Sequence, residues 1–147
     1  MIDLKVKVKL PNIKAKPPKT KFWNKIGLKA AKDIRKRTEM RGKDVKGNKL
    51  LPYSAAYRKA RVNGEVSKPG GGTYGRRSGT ANLSLSGRML GAIARGVRPK
   101  RTKVRLVLSG DEGGKAYANE KRGREFFDVS DKQAEAIARA YLKEFKL

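Results

Sequence analysis

Neither cysteine nor histidine occurs anywhere in the 147 residues. Without cysteine there is no disulfide framework and no thiolate metal site. That suits a reducing compartment without requiring one. Without histidine the chain lacks the usual general base near neutral pH and the commonest metal ligand, so Ser–His–Asp and Cys–His arrangements are excluded. Acidic residues are scarce, 13 Asp+Glu against 38 Lys+Arg, which leaves a formal net charge of +25. Long apolar runs are missing too. No stretch is apolar for long enough to span a membrane, and no apolar signal core follows the basic N-terminus. The expectation is synthesis and use in the cytoplasm, with no membrane partner.

What the chain has in excess is positive charge. Such an imbalance repels itself in a lone monomer and favours a polyanionic or acidic partner, whether nucleic acid, an acidic protein surface or anionic lipid. Basic residues cluster at 14–25, 35–49, 76–77 and 95–105. The candidate contacts for nucleic acid or an acidic partner are Lys14, Lys16, Lys19, Lys21, Arg76, Arg77, Arg98, Lys100 and Arg101. Each that meets a phosphate releases counterions and makes binding salt-dependent. The competing reading is that many lysines only solvate helix and strand faces; at this net charge at least one basic face is expected to meet a partner. No signature of sequence-specific readout is visible, neither zinc finger, helix-turn-helix nor RNA-recognition motif. Phe22 and Trp23, set among lysines, have the chemistry to stack on bases. At the start of an amphipathic pattern they read better as core anchors.

The length suits one domain with one modest core. Residues 2–10 alternate apolar and charged, the period of a half-buried strand. Pro11 ends it, and Pro17 and Pro18 lie in a lysine-rich connector, so 1–21 forms a basic N-terminal strand and connector. Phe22, Ile26, Leu28, Ala30, Ala31 and Ile34 recur at helical spacing. Thr20 is placed to cap that helix and Gly42 to stop it near Met40. Pro52 and Ser54 open a short helix over 55–61. The glycine-rich stretch 62–81 reads as a long flexible loop. Ser84 or Ser86 caps a helix over 87–95, and strands follow at 97–99 and 103–109. Gly110, Gly113 and Gly114 read as a turn, with 116–118 extended or turning. Ser130 caps a closing helix whose stripe is Ala134, Ile137, Ala138, Tyr141, Leu142 and Phe145. The predicted fold is α+β: a small, mostly antiparallel sheet packed by an N-terminal and a C-terminal helix, with a long Gly-rich loop. The predicted core sets Leu85, Met89, Ile93 and the stripe 137–142 against strands 2–10 and 103–109.

No catalytic constellation emerges, and no cofactor or metal is expected. The serines of residues 84–87 lack the Gly-x-Ser-x-Gly of a nucleophile elbow. Gly70, Gly71, Gly72 and Gly75 lack the Gly-Lys-Ser/Thr ending of a phosphate-cradling loop. Asp111 and Glu112 before Lys115 faintly suggest a nuclease cluster; two adjacent carboxylates in a glycine-rich turn read better as a solvated hairpin tip.

Three blocks carry a resemblance. The first, KGNKLLPYSAAYRKAR at 46–61, holds Gly47, Leu50, Leu51, Pro52, Ser54 and Tyr57. The second, NLSLSGRMLGAI at 82–93, holds Ser86, Gly87, Arg88, Met89 and Ile93. The third, KAYANEKRGREFFDVSD at 115–131, holds Tyr117, Ala118, Arg124, Phe126, Phe127, Val129 and Ser130. In this order, before a closing helix, they resemble the tail-completion or virion-morphogenesis proteins of tailed bacteriophages, best known from Mu-like phages. The chain departs from that pattern at Asn119, Glu120, Lys121 and Arg122, where the family often has His-Gln-Phe-Gly, and at Leu51, near a frequent Trp.

The resemblance covers roughly the last two-thirds of the chain. It implies a non-enzymatic structural protein of the virion neck or tail end, a head–tail joining or tail-completion part. It implies self-association in a ring and partners among connector, terminator or tail-tube proteins, with double-stranded DNA in the channel as a further neighbour. The alternative from another class is a small basic protein that binds nucleic acid without sequence preference.

Overall fold

The computed structural model describes residues 4–8, 20–83, 87–100 and 103–144. Three strands, β1 (Leu4–Val8), β2 (Val97–Pro99) and β3 (Val104–Leu108), form an antiparallel sheet in the order β1-β3-β2. The central strand shows the period of two expected of it: Val104, Leu106 and Leu108 are buried while Arg105 and Val107 are partly exposed. Val104 stands opposite both Val8 and Pro99, and Leu108 opposite Leu4. The fold is α+β, as the alternation of patterns predicts.

Helix α1 (Thr20–Arg35) lies on the sheet. Its buried face holds Phe22, Trp23, Ile26, Ala30, Ala31 and Ile34, an i, i+4, i+8 stripe with its flanks. Phe22 and Trp23 meet edge to face, 5.4 Å between centroids, so they are core anchors. Gly27 lets the helix approach. A Cβ there would come within 2.6 Å of Val97 Cγ1 and of Val104 Cγ2. Thr20 is the first residue of α1. The helix runs on into a single π-helical turn (Lys36–Met40), and Gly42, with φ of 57°, ends it.

Helix α2 (Ala55–Asn63) includes Val62 and Asn63, so the glycine-rich loop begins at Gly64. The loop folds back through a bridge between Ser67 and Thr73 and through hydrogen bonds from Tyr74 N to Val66 O and from Arg77 N to Arg61 O. Helix α3 (Arg88–Arg95) buries Met89, Leu90 and Ile93. Gly87, not a serine, holds the N-cap position at φ of 76°; Ser84 and Ser86 lie outside the described residues. A left-handed residue there favours glycine over serine.

The turn expected at 110–118 is instead helix α4 (Gly110–Lys121). Ser109 occupies its N-cap position and Asp111 and Glu112 its first turn, where carboxylates complement the helix dipole. These two acids are therefore not a hairpin tip. Buried Gly113 and Ala116 seat α4 against α3 and the sheet, and that packing overrides the poor helix propensity of three glycines. Helix α5 (Asp131–Glu144) is capped as expected, with Ser130 Oγ accepting from Gln133 N at 3.2 Å. It packs chiefly on α1, not on the sheet. Its stripe buries Ala134 and Ile137, with Tyr141 and Leu142 at the rim. The predicted core holds for Met89, Ile93 and Ile137; Leu85, Phe145 and the outer residues of the 2–10 strand lie outside the described residues.

Candidate functional site

The Leu51–Tyr57 stretch prepares one wall of a cleft. Ser54 Oγ accepts from Tyr57 N at 3.3 Å and starts α2. Tyr57 and Arg61 then fall four residues apart on one helix face. Tyr53, just before the cap, meets Tyr57 edge to face at 5.1 Å. Arg61 is only 1% exposed. Its Nε donates to Ser78 O at 2.9 Å and its Nη2 to Asn82 Oδ1 at 3.3 Å. Its Cζ lies 4.9 Å from the Tyr53 ring centre and 5.8 Å from that of Tyr57. Desolvated contacts of this kind stabilise by about 0.5–2 kcal/mol each.

Arg124 approaches the same ring from the segment after α4, with Cζ 5.2 Å from the Tyr53 centre. It is 8% exposed. It donates to Leu51 O and Pro52 O at 2.9 Å each and to Asn119 Oδ1 at 3.3 Å. The hydroxyl of Tyr53 accepts from Leu83 N at 2.9 Å. Leu83 has φ of 54°, the one positive value outside glycine among the described residues. Non-glycine residues held there cost about 1–3 kcal/mol and gather at ligand clamps and switches.

Helix α4 supplies the facing residues Glu112, Lys115 and Asn119, and Arg122 follows it. Lys115 Nζ pairs with Glu112 Oε1 at 3.2 Å. Glu112 Oε2 is buried and has no donor. Between α2 with its loop and α4 the cleft encloses about 610 Å³. Tyr53, Tyr57 and Tyr74 line it, together with Arg61, Lys115, Arg122 and Arg124 against the single carboxylate of Glu112. It therefore presents aromatic surface, several cationic donors and one orphan acceptor.

The structure treats the sequence candidates unequally. Positions from all three blocks converge on this cleft: Ser54 and Tyr57 from the first, Gly87 from the second and Arg124 from the third. Pro52 does not line the cleft, but its carbonyl accepts from Arg124 Nη2 at 2.9 Å. Arg88 opens α3 in an exposed position, Tyr117 and Ala118 lie half-buried on α4, and Phe126 is in the core. Ser86 lies outside the described residues, as do Lys14, Lys16, Lys19 and Arg101. Lys21, Arg76, Arg77, Arg98 and Lys100 are exposed on α1, the glycine loop, β2 and the residue after it. None of these five lines the cleft. Sequence reading missed Tyr53, Arg61 and Arg122 as site residues, and it set Glu112 and Lys115 aside as part of a solvated hairpin tip. The i, i+4 spacing of Tyr57 and Arg61 directly after a cap is the one signal that pointed there.

Among the described residues no helix is long and apolar enough to cross a membrane. Comparison with known protein families, characterised proteins and solved structures finds no match to this chain.

Proposed function

We propose that this chain is a structural subunit of a tailed-phage neck or tail end, a head–tail joining or tail-completion part that assembles as a ring. The observation that carries the reading is the order of the three blocks, together with their convergence: residues quoted from each block meet at one cleft. A cleft with aromatic walls and surplus cationic donors suits a docked acidic segment of a neighbouring subunit. Buried aromatic and arginine anchors are the residues that dominate protein interfaces. On this reading the protein is no enzyme, takes no cofactor, and works in the virion after assembly in the host cytoplasm. Its neighbours are copies of itself and connector, terminator or tail-tube proteins, with channel DNA as a further neighbour.

The net charge of +25 also favours a second reading, a basic protein that binds nucleic acid without sequence preference. One experiment separates the two. Virions of the phage that encodes the chain are purified and probed for it, and the isolated protein is imaged. Presence at the neck or tail, with ring-shaped particles or co-purifying connector and tail proteins, is the expected result. A dispersed monomer that binds DNA strongly, loses it with salt and is absent from virions overturns the first reading in favour of the second.

A further inference from the structure

A second cleft, of about 410 Å³, opens where the π turn, the hairpin at 41–49 and the start of α5 meet. Its lining carries Lys36, Arg37, Arg41, Lys43 and Lys46 against one carboxylate, Asp33. Asp33 is already held by Lys29 at 2.7 Å.

The hairpin is built to turn its acid inward. Asp44 Oδ1 accepts from the main-chain N–H of Lys46 and of Asn48, at 2.9 and 2.8 Å. Lys43 and Lys49 close the hairpin through a bridge. The one carboxylate of the hairpin is thus spent on its own backbone, while Arg41, Lys43 and Lys46 are exposed.

Behind them stands Arg37, which is 8% exposed. Arg37 lies within the π turn and reaches α5, donating through Nη1 to Gln133 Oε1 at 2.8 Å. Its Nη2 donates to Phe126 O at 2.5 Å and to Asp128 O at 3.0 Å. All three acceptors are neutral, and Nε is buried without a partner. Burial lowers the proton affinity of Arg37, against the opposing pull of Asp128, Asp44, Asp33 and Glu120. The guanidinium nonetheless stays charged at neutral pH. A buried cation without an ion-pair partner is costly, and an anion in the cleft offsets that cost. At the start of α5, Ser130 and Gln133 line the cleft and cap each other, while Asp131 in the first turn answers the helix dipole.

We propose that this cleft holds phosphates of a nucleic-acid backbone, with Lys36, Arg41, Lys43 and Lys46 as the contacting groups and Arg37 as the fixed charge behind them. Duplex DNA offers one negative charge per about 1.7 Å of axis, so a cluster of flexible cations finds partners there in any register. An acidic peptide has to place carboxylates at matching spacings. The proposal does not depend on the phage reading, since virion location and cleft-dependent phosphate binding are measured separately.

The test uses the full chain and a short DNA duplex, with binding followed by fluorescence anisotropy across salt concentrations. One variant carries Arg41→Gln, Lys43→Gln and Lys46→Gln; a charge-matched control carries Lys59→Gln, Lys121→Gln and Lys143→Gln. All six positions are exposed, and melting curves check that both variants fold. The cleft variant is expected to lose about tenfold or more in affinity, and its salt slope to shrink by about 2–3, while the control stays near wild type. Equal losses in the two variants, or no loss in the cleft variant, overturn the proposal. Inorganic phosphate and an oligoglutamate peptide are titrated in parallel. Cleft-dependent binding of either one, with duplex binding unaffected by the cleft variant, overturns the assignment to nucleic acid.

Discussion

The guanidinium of Arg124 sits 5.2 Å from the centre of the Tyr53 ring while donating to the carbonyls of the two residues that precede that tyrosine, Leu51 and Pro52. One side chain thus fixes the chain's entry into α2 against the end of α4. Lysine has a single ammonium and cannot reproduce this fork. Arg124→Lys is expected to lower stability by about 2–4 kcal/mol, since hydrogen bonds from charged groups contribute roughly 1.5–3 kcal/mol each. Urea denaturation measures it, and an unchanged midpoint counts against the role assigned to Arg124.

Arg61 does the equivalent task for the glycine-rich loop, through Ser78 O and Asn82 Oδ1. Arg61→Met keeps much of the volume and removes the donors. Hydrogen exchange is expected to quicken across residues 77–83 and to change little in β3. Uniform quickening over the whole chain would show that Arg61 supports global stability and not this loop.

Gly27 tests how closely α1 lies on the sheet. Alanine in a helix normally gains about 1 kcal/mol over glycine. Here its Cβ would press on two β-branched side chains at 2.6 Å, and overpacking costs typically about 1–3 kcal/mol. Gly27→Ala is therefore expected to destabilise, and adding Val104→Ala to recover part of the loss. A stabilised Gly27→Ala protein would mean that α1 sits further from the sheet.

Leu106 is fully buried at the centre of β3. Leu106→Ala is expected to cost about 2–5 kcal/mol, read from thermal or urea unfolding. Loss of less than about 1 kcal/mol would remove β3 from the centre of the core.

If the basic N-terminal run serves assembly, its effect is collective, because exposed ion pairs contribute only about 0–1 kcal/mol each. Joint Lys→Gln changes at Lys14, Lys16, Lys19 and Lys21 are expected to weaken incorporation into particles more than any one of them. Wild-type particle yield from the joint variant across salt concentrations would leave the run as solvated surface.

Much of the fold was legible because it rests on local periodicity. The apolar stripe of α1 and the alternation in β3 state their partners' faces directly, and Ser54 and Ser130 announce their helices as caps. Helix α4 was hidden because its three glycines punctuate the sequence like a turn, while the force that makes it helical is the burial of Gly113 and Ala116 against elements distant in the chain. The cleft was hidden for a related reason. Arg61 reads as one more surface cation in a very basic chain, and Arg124 stands out only through the resemblance of the third block. Only the fold shows that Arg124 satisfies carbonyls some seventy residues away.

The pairing of β1 with β3 sets a timetable for biosynthesis. Leu4 finds its partner at Leu108, so the first strand leaves the ribosome long before the strand that receives it. At about 5–20 residues per second it waits on the order of 5 to 20 seconds with its backbone groups open. A strand left that way is a template for pairing with another nascent chain. Lys5 and Lys7, alternating with Leu4, Val6 and Val8, are the charges that discourage such pairing. The lysines of β1 thereby guard the chain during its synthesis, before any partner of the finished protein is met.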